Sequence, residues 1–104
     1  MENLKLRYKL SILKLLYDTG LRVTASQLSI SNANQYFRPL EVQELINRVE
    51  VPRENSTPYK VGFVDRKTRK KAKEFLEKHN MLNAKTPFNI LHLDDKSNNT
   101  KKEI

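Results

Sequence analysis

Val49-Glu50-Val51-Pro52-Arg53-Glu54-Asn55-Ser56-Thr57-Pro58-Tyr59-Lys60-Val61-Gly62-Phe63 decides the fold. Val49 and Val51 alternate with polar neighbours, and so do Tyr59, Val61 and Phe63. A period of two sends every second side chain to the same face of a strand. Between the two runs, Pro52 to Pro58 is rich in Pro, Asn and Ser. The pattern predicts two short strands joined by the loop 52–58, a β-hairpin with a long tip.

Toward the N-terminus, Pro39 marks the first turn of a helix running to about Val49, because proline there lacks only a donor that is unpaired anyway. Val42, Leu45, Ile46 and Val49 form its expected buried stripe. Ser31-Asn32-Ala33-Asn34 is turn chemistry. Thr24 and Gln27 match a capping box, which opens a short helix to about Ile30 and buries Leu28. Before it, Leu6, Leu10, Leu13 and Tyr17 fall at i, i+4, i+7 and i+11, widened by Ile12, Leu15 and Leu16. This predicts a strongly apolar helix from about Leu4 to Tyr17, although the alternation Leu4-Leu6-Tyr8-Leu10 also fits a strand. Gly20 ends it as a left-handed residue after Asp18-Thr19.

Beyond the hairpin, Asp65 is a good N-cap, and Val64, Thr68, Ala72, Phe75, Leu76 and His79 draw one buried stripe along a helix from about 66 to 79. Phe88, Ile90 and Leu93 suggest an extended segment docking on the body or on a second copy. The expected folded domain is 1–93, followed by a polar, disordered tail over 94–104.

The net charge is +8, with 13 lysines and 7 arginines. By segment it is +4 for residues 1–38, −2 for 39–65, +5 for 66–80 and +1 for 81–104. Arg66, Lys67, Arg69, Lys70, Lys71 and Lys73 crowd the first turns of the last helix, while Glu74 and Glu77 lie toward its C-terminal end. That is the reverse of what the helix dipole favours, and the pairs Lys70–Glu74 and Lys73–Glu77 run in the weaker order. A clustered cation run of this kind suits a polyanion, with an ordinary solvated face as the bland alternative.

Helix, short helix, helix, hairpin, helix: this order resembles the winged helix-turn-helix family of DNA-binding proteins, in layout, over residues 4 to about 80. Size, layout and an Asn- and Lys-rich composition are also similar to the small relaxosome accessory proteins of clostridial conjugative plasmids. The resemblance implies a small α+β domain that binds double-stranded DNA at defined, repeated sites such as an origin of transfer. It also implies a third helix in the major groove and a hairpin wing on a neighbouring groove or the phosphates. Two copies would suit a symmetric or repeated site, so a homodimer is expected, with the first helix and the 88–93 segment as candidate contacts.

The third helix is thinly equipped for that role. Arg38, Gln43, Asn47 and Arg48 are its donors, set against Glu41 and Glu44, and a packing helix fits as well. The hairpin offers Arg53, Asn55, Ser56, Thr57 and Lys60, where Arg suits guanine and Asn suits adenine edges; a solvated turn is the alternative. The expectation is base readout by the wing, with Arg66, Lys67, Arg69, Lys70, Lys71, Lys73 and the first-helix lysines anchoring phosphates. Neutralising about six phosphates gives a log–log salt slope of roughly −5. Competing readings are a transcriptional repressor of winged-helix type, an RNA-binding protein and a phage-type inhibitor of a nucleic-acid enzyme.

Nothing in the sequence suggests an enzyme or a cofactor. His79 and His92 are the only histidines and there is no cysteine, so a metal site is not expected. Two glycines cannot build a phosphate loop, a nucleophile elbow or a dinucleotide turn. Tyr8, Tyr17, Tyr36 and Tyr59 lack the acidic or histidine neighbours a strand-transfer nucleophile needs. No apolar run reaches the ~18 residues of a membrane span, and the absence of cysteine suits a reducing cytoplasm. No small-molecule ligand is suggested.

Overall fold

Leu10, Ile12, Leu13, Lys14, Leu15 and Leu16 are all buried along the first helix, α1 (Leu4–Thr19). Five successive buried residues, 12–16, go once round the helix, so this half of α1 is enclosed and the rest of the chain folds around it. The computed structural model describes residues 4–91. Within them the order is α1, a single 3-10 turn (Ala25–Gln27), α2 (Asn34–Val42), strands β1 (Asn47–Arg53) and β2 (Ser56–Phe63), α3 (Arg69–Lys78) and a last 3-10 turn (Phe88–Ile90). Three helices and one antiparallel hairpin make a small α+β domain, a layout compatible with a winged helix.

The α1 prediction holds in helical form from Leu4 onward, and Gly20 closes it at φ +70°. The Thr24–Gln27 box forms, with the Thr24 N–H donated to Gln27 Oε1 at 2.8 Å. It opens one 3-10 turn rather than a helix to Ile30, and Leu28 is buried as expected.

The third helix needs a larger correction. It begins at Asn34, so Pro39 is interior rather than in the first turn. The start is set by Asn32 in the left-handed region (φ 53°) and by Ala33 C=O, which accepts from the N–H of Tyr36 and Phe37. Pro39 costs α2 one interior bond, and the helix is correspondingly short. It ends in a Schellman motif: Leu45 N–H reaches Leu40 C=O at 2.9 Å and Glu44 N–H reaches Glu41 C=O at 2.9 Å. Glu44 holds the left-handed position (φ 63°) that glycine usually fills. Of the expected stripe, Leu45 and Ile46 are buried but lie in the turn after α2, whereas Val42 is 74% exposed and Val49 belongs to β1. The helix buries Tyr36, Phe37 and Leu40 instead.

The strands run further than the alternation suggested. Val49 faces Val61, Glu50 faces Lys60, Val51 faces Tyr59 and Arg53 faces Ser56, so the loop 52–58 shrinks to a turn at Glu54-Asn55. Asn55 takes φ 57° there. Pro52 and Pro58 were legible as breakers, but they sit where the register slips between Val51 and Arg53. A bulge tolerates a residue that cannot donate to the ladder.

Alternation and register put Arg48, Glu50, Lys60 and Gly62 on one face of the hairpin, and Val49, Val51, Tyr59, Val61 and Phe63 on the other. Gly62 lets the first face close on α2: a Cβ there would lie 3.2 Å from Phe37 Cε2 and 3.4 Å from Ile46 Cδ1. Val23 adds a one-residue rung to the outer edge of β2 by exchanging both backbone bonds with Gly62 (3.0 and 2.7 Å).

The predicted α3 stripe is observed. Thr68, Ala72 and Leu76 are buried, with Val64, Phe75 and His79 partly so. The chain then returns along α1. Lys14, 3% exposed, donates Nζ to Leu82 C=O at 2.6 Å and pairs with Asp18 at 3.1 Å, and Asp18 accepts from Thr86 Oγ1 at 2.6 Å. Residues 88–90 form a 3-10 turn rather than an extended segment, and they dock on this same chain through Ser29 N–H to Ile90 C=O (2.8 Å) and a Leu28–Leu91 bridge. His92, Leu93 and the tail 94–104 lie outside the described residues.

Candidate nucleic-acid interface

The densest cation run in the sequence does not form one surface. At about 100° per residue, Arg69 and Lys71 flank the buried stripe of α3 on opposite sides. Arg69 lies 4.3 Å over the Tyr17 ring and donates to Tyr17 C=O at 3.4 Å. Lys71 is ion-paired and hydrogen-bonded with Glu44, and that hydrogen bond, with the lysine's charge, holds the Glu44 carboxyl below its usual range. Both cations tie α3 to its neighbours. Arg66, Lys67, Lys70 and Lys73 point outward and are exposed.

α3 begins at Arg69 with Thr68 at its N-cap, three residues later than expected. Asp65 is therefore not the N-cap but organises the turn 66–68 that leads into the helix, and Arg66 and Lys67 lie on that turn. Asp65 Oδ1 accepts the N–H of Lys67 and Thr68 at 3.0 Å each, and its Oδ2 accepts Asn47 Nδ2 at 3.1 Å. Burial would raise this carboxyl, but the bonds from Asn47, Thr68 and Lys67 outweigh it and hold it below the ordinary range. Asn47 is therefore committed, since its Oδ1 also takes the Arg48 N–H at 2.9 Å.

Arg48 is committed too. Its side chain is 12% exposed, 3.8 Å from Glu41, 3.3 Å from Asn34 Oδ1 and stacked over Phe37 at 5.6 Å. Its Nε is buried and finds no acceptor among the described residues. The side chain sits on the floor of an open groove of about 780 Å³ between α2 and the hairpin, with Asn34, Gln35, Arg38, Pro39, Glu41 and Lys60 as the walls. Gln35 and Arg38 are exposed on α2. Sequence reasoning missed Asn34 and Gln35 because it began the helix at Pro39. Gln43 is exposed at the C-terminal end of α2. On the other flank of α2, Lys5 and Lys9 of α1 line a smaller groove with Gln35, Tyr36 and Pro39. Lys14, by contrast, is turned into the core.

At the wing, Asn55, Ser56 and Thr57 are exposed at the tip. Arg53 is less free: it stacks over Tyr59 at 5.1 Å and donates Nε to Thr57 C=O at 3.0 Å. On the same sheet face Arg22, which the sequence did not single out, lies 4.0 Å over Phe63. The eight residues of β2 separate the tip from the start of α3 by roughly 20–25 Å. The wing tip and the α3 cations are thus two sites at opposite ends of the hairpin.

Among the described residues no group of three His, Cys, Asp or Glu could hold a metal ion, and no helix is long and apolar enough to cross a membrane. No protein-family model, no curated protein and no solved structure matches this chain.

Proposed function

We propose that this domain is a sequence-specific double-stranded DNA-binding protein of winged helix-turn-helix type, acting as a dimer at repeated sites. On layout and composition, an accessory role at a plasmid origin of transfer suits it better than effector-controlled repression. One observation carries the reading: the exposed end of α2 (Gln35, Arg38) opens onto the same groove as Arg48 and Lys60 of the hairpin. An amide and a guanidinium there can address base edges in a major groove, while cations on both flanks take phosphates. Base reading then moves from the wing toward α2, with Asn55, Ser56 and Thr57 as a secondary contact.

Arg38 and Lys60 at the groove, with Arg66, Lys67, Lys70 and Lys73 as a separate exposed cluster at the start of α3, are the six cations proposed to meet phosphates, so the salt slope stays at about −5. Selection of bound sequences from a random duplex pool at physiological salt tests the reading. An enriched, repeated motif is the expected result. Recovery of the pool unchanged, or preference for structured RNA over duplex, overturns it.

A further inference from the structure

The hairpin carries a second cationic groove on the face turned away from α2. Arg22, Thr24, Ser26, Gln27, Arg53 and Tyr59 line it, with Val61 at its base. No carboxylate lines it among the described residues, unlike the α2 groove, where Glu41 sits beside Arg48. Thr24, Ser26 and Gln27 are bonded to one another within the capping box, so the two guanidiniums, with no acidic partner in the groove, are the groups that call for an oxyanion.

Both arginines are already held at the groove. Arg22 Cζ lies 4.0 Å over the centre of the Phe63 ring and Arg53 Cζ 5.1 Å over that of Tyr59, cation–π contacts that restrain each side chain where it lines the groove. Arg53 spends only Nε, on Thr57 C=O, so its terminal nitrogens remain as a fork suited to phosphate. Phe63 and Tyr59 are four residues apart on β2, about 13 Å along the strand, enough to engage separate phosphates.

We propose that Arg22 and Arg53 form a phosphate-binding site on the far face of the hairpin. A duplex backbone then runs along each face, and the hairpin is held between the two sides of one DNA groove. The proposal rests on the DNA-binding reading and extends it. It reassigns Arg53 from base reading to phosphate holding, and it brings in Arg22.

The test is duplex binding by the full chain across a salt series, with Arg22→Gln, Arg53→Gln and Arg22→Lys, alongside phosphate-ethylation interference. Each glutamine variant should weaken selected and random duplex alike, about five- to tenfold, and flatten the salt slope by about 1. Each should also lose interference at its own phosphate. Arg22→Lys, which keeps the charge, should retain the slope; circular dichroism confirms that all three fold. If the wild-type chain binds duplex with a steep slope while folded Arg22→Gln matches it in affinity, slope and footprint, the second site is refuted and DNA binding stands. If Arg53→Gln instead lowers only the ratio of selected to random binding, Arg53 reads a base and the site is again refuted. A wild-type chain that binds no duplex removes the parent reading.

Discussion

The start of α3 and the two faces of the hairpin teach opposite lessons about charge. Six cations lie within eight residues at α3, yet folding spreads them: Arg69 goes to α1, Lys71 to the turn after α2, and four remain outward. Residues 39–65, which hold the hairpin, are net acidic in the sequence at −2, and yet the fold draws Arg38, Arg48 and Lys60 to one side of the hairpin and Arg22 and Arg53 to the other. Helical spacing disperses neighbours in sequence, whereas strand pairing collects residues that are far apart in it. A basic run is thus a weaker guide to a binding surface than the register of a sheet.

The most damaging way to break the hairpin side is Gly62→Val. The new side chain would meet Phe37 and Ile46 where the sheet closes on α2, and overpacking of this kind costs about 2 kcal/mol. Urea denaturation should show it, and duplex binding should fall with the distorted groove.

Asp65→Asn attacks the α3 side. Losing the carboxylate that accepts from Asn47, Lys67 and Thr68 should cost about 1 kcal/mol near neutral pH. Because the folded carboxyl is held below its ordinary range, its contribution is complete above the unfolded carboxylate pKa of about 4. It disappears as pH falls through the lower folded value. Wild type and variant should therefore converge in acid; a gap that persists there would mean that charge is not what Asp65 contributes.

A smaller effect sharpens the contrast within α3. Lys70→Ala should reduce duplex affinity several-fold and flatten the salt slope by about 1. Lys71→Ala should reduce it less, because Lys71 is held by Glu44. Equal losses would mean that the Glu44 pair does not persist on DNA. Smallest of all, Glu44→Gly should raise Tm slightly, since glycine fits the left-handed position without strain. It should also raise duplex affinity by freeing Lys71.

What could be read from the chain alone follows the same division. Leu6, Leu10, Leu13 and Tyr17 located α1, the Thr68–Ala72–Leu76 spacing located α3, and the Val49/Tyr59 alternation located the hairpin. Each is a local period. Pro39 misled because its placement in a first turn is only a preference. The left-handed Asn32 and the buried Tyr36 and Phe37 fixed the start of α2 instead. Pro52 and Pro58 look like a loop unless the bulge that accommodates them is known. Arg22 and Gln35 gave no local signal, since their grooves exist only once β2 has met Val23 on one edge and α2 on a face.

Lys14 fixes how short a fragment could be and still fold. Its ammonium, sealed inside α1, has Leu82 C=O as one of its two partners, and the other, Asp18, is shared with Thr86. Ending a recombinant fragment at Lys78, where the last long helix stops, would strand that cation without its carbonyl. Limited proteolysis should therefore leave a resistant core extending past Thr86, and a truncation at residue 80 should be recovered only if Lys14 is exchanged for Met or Leu.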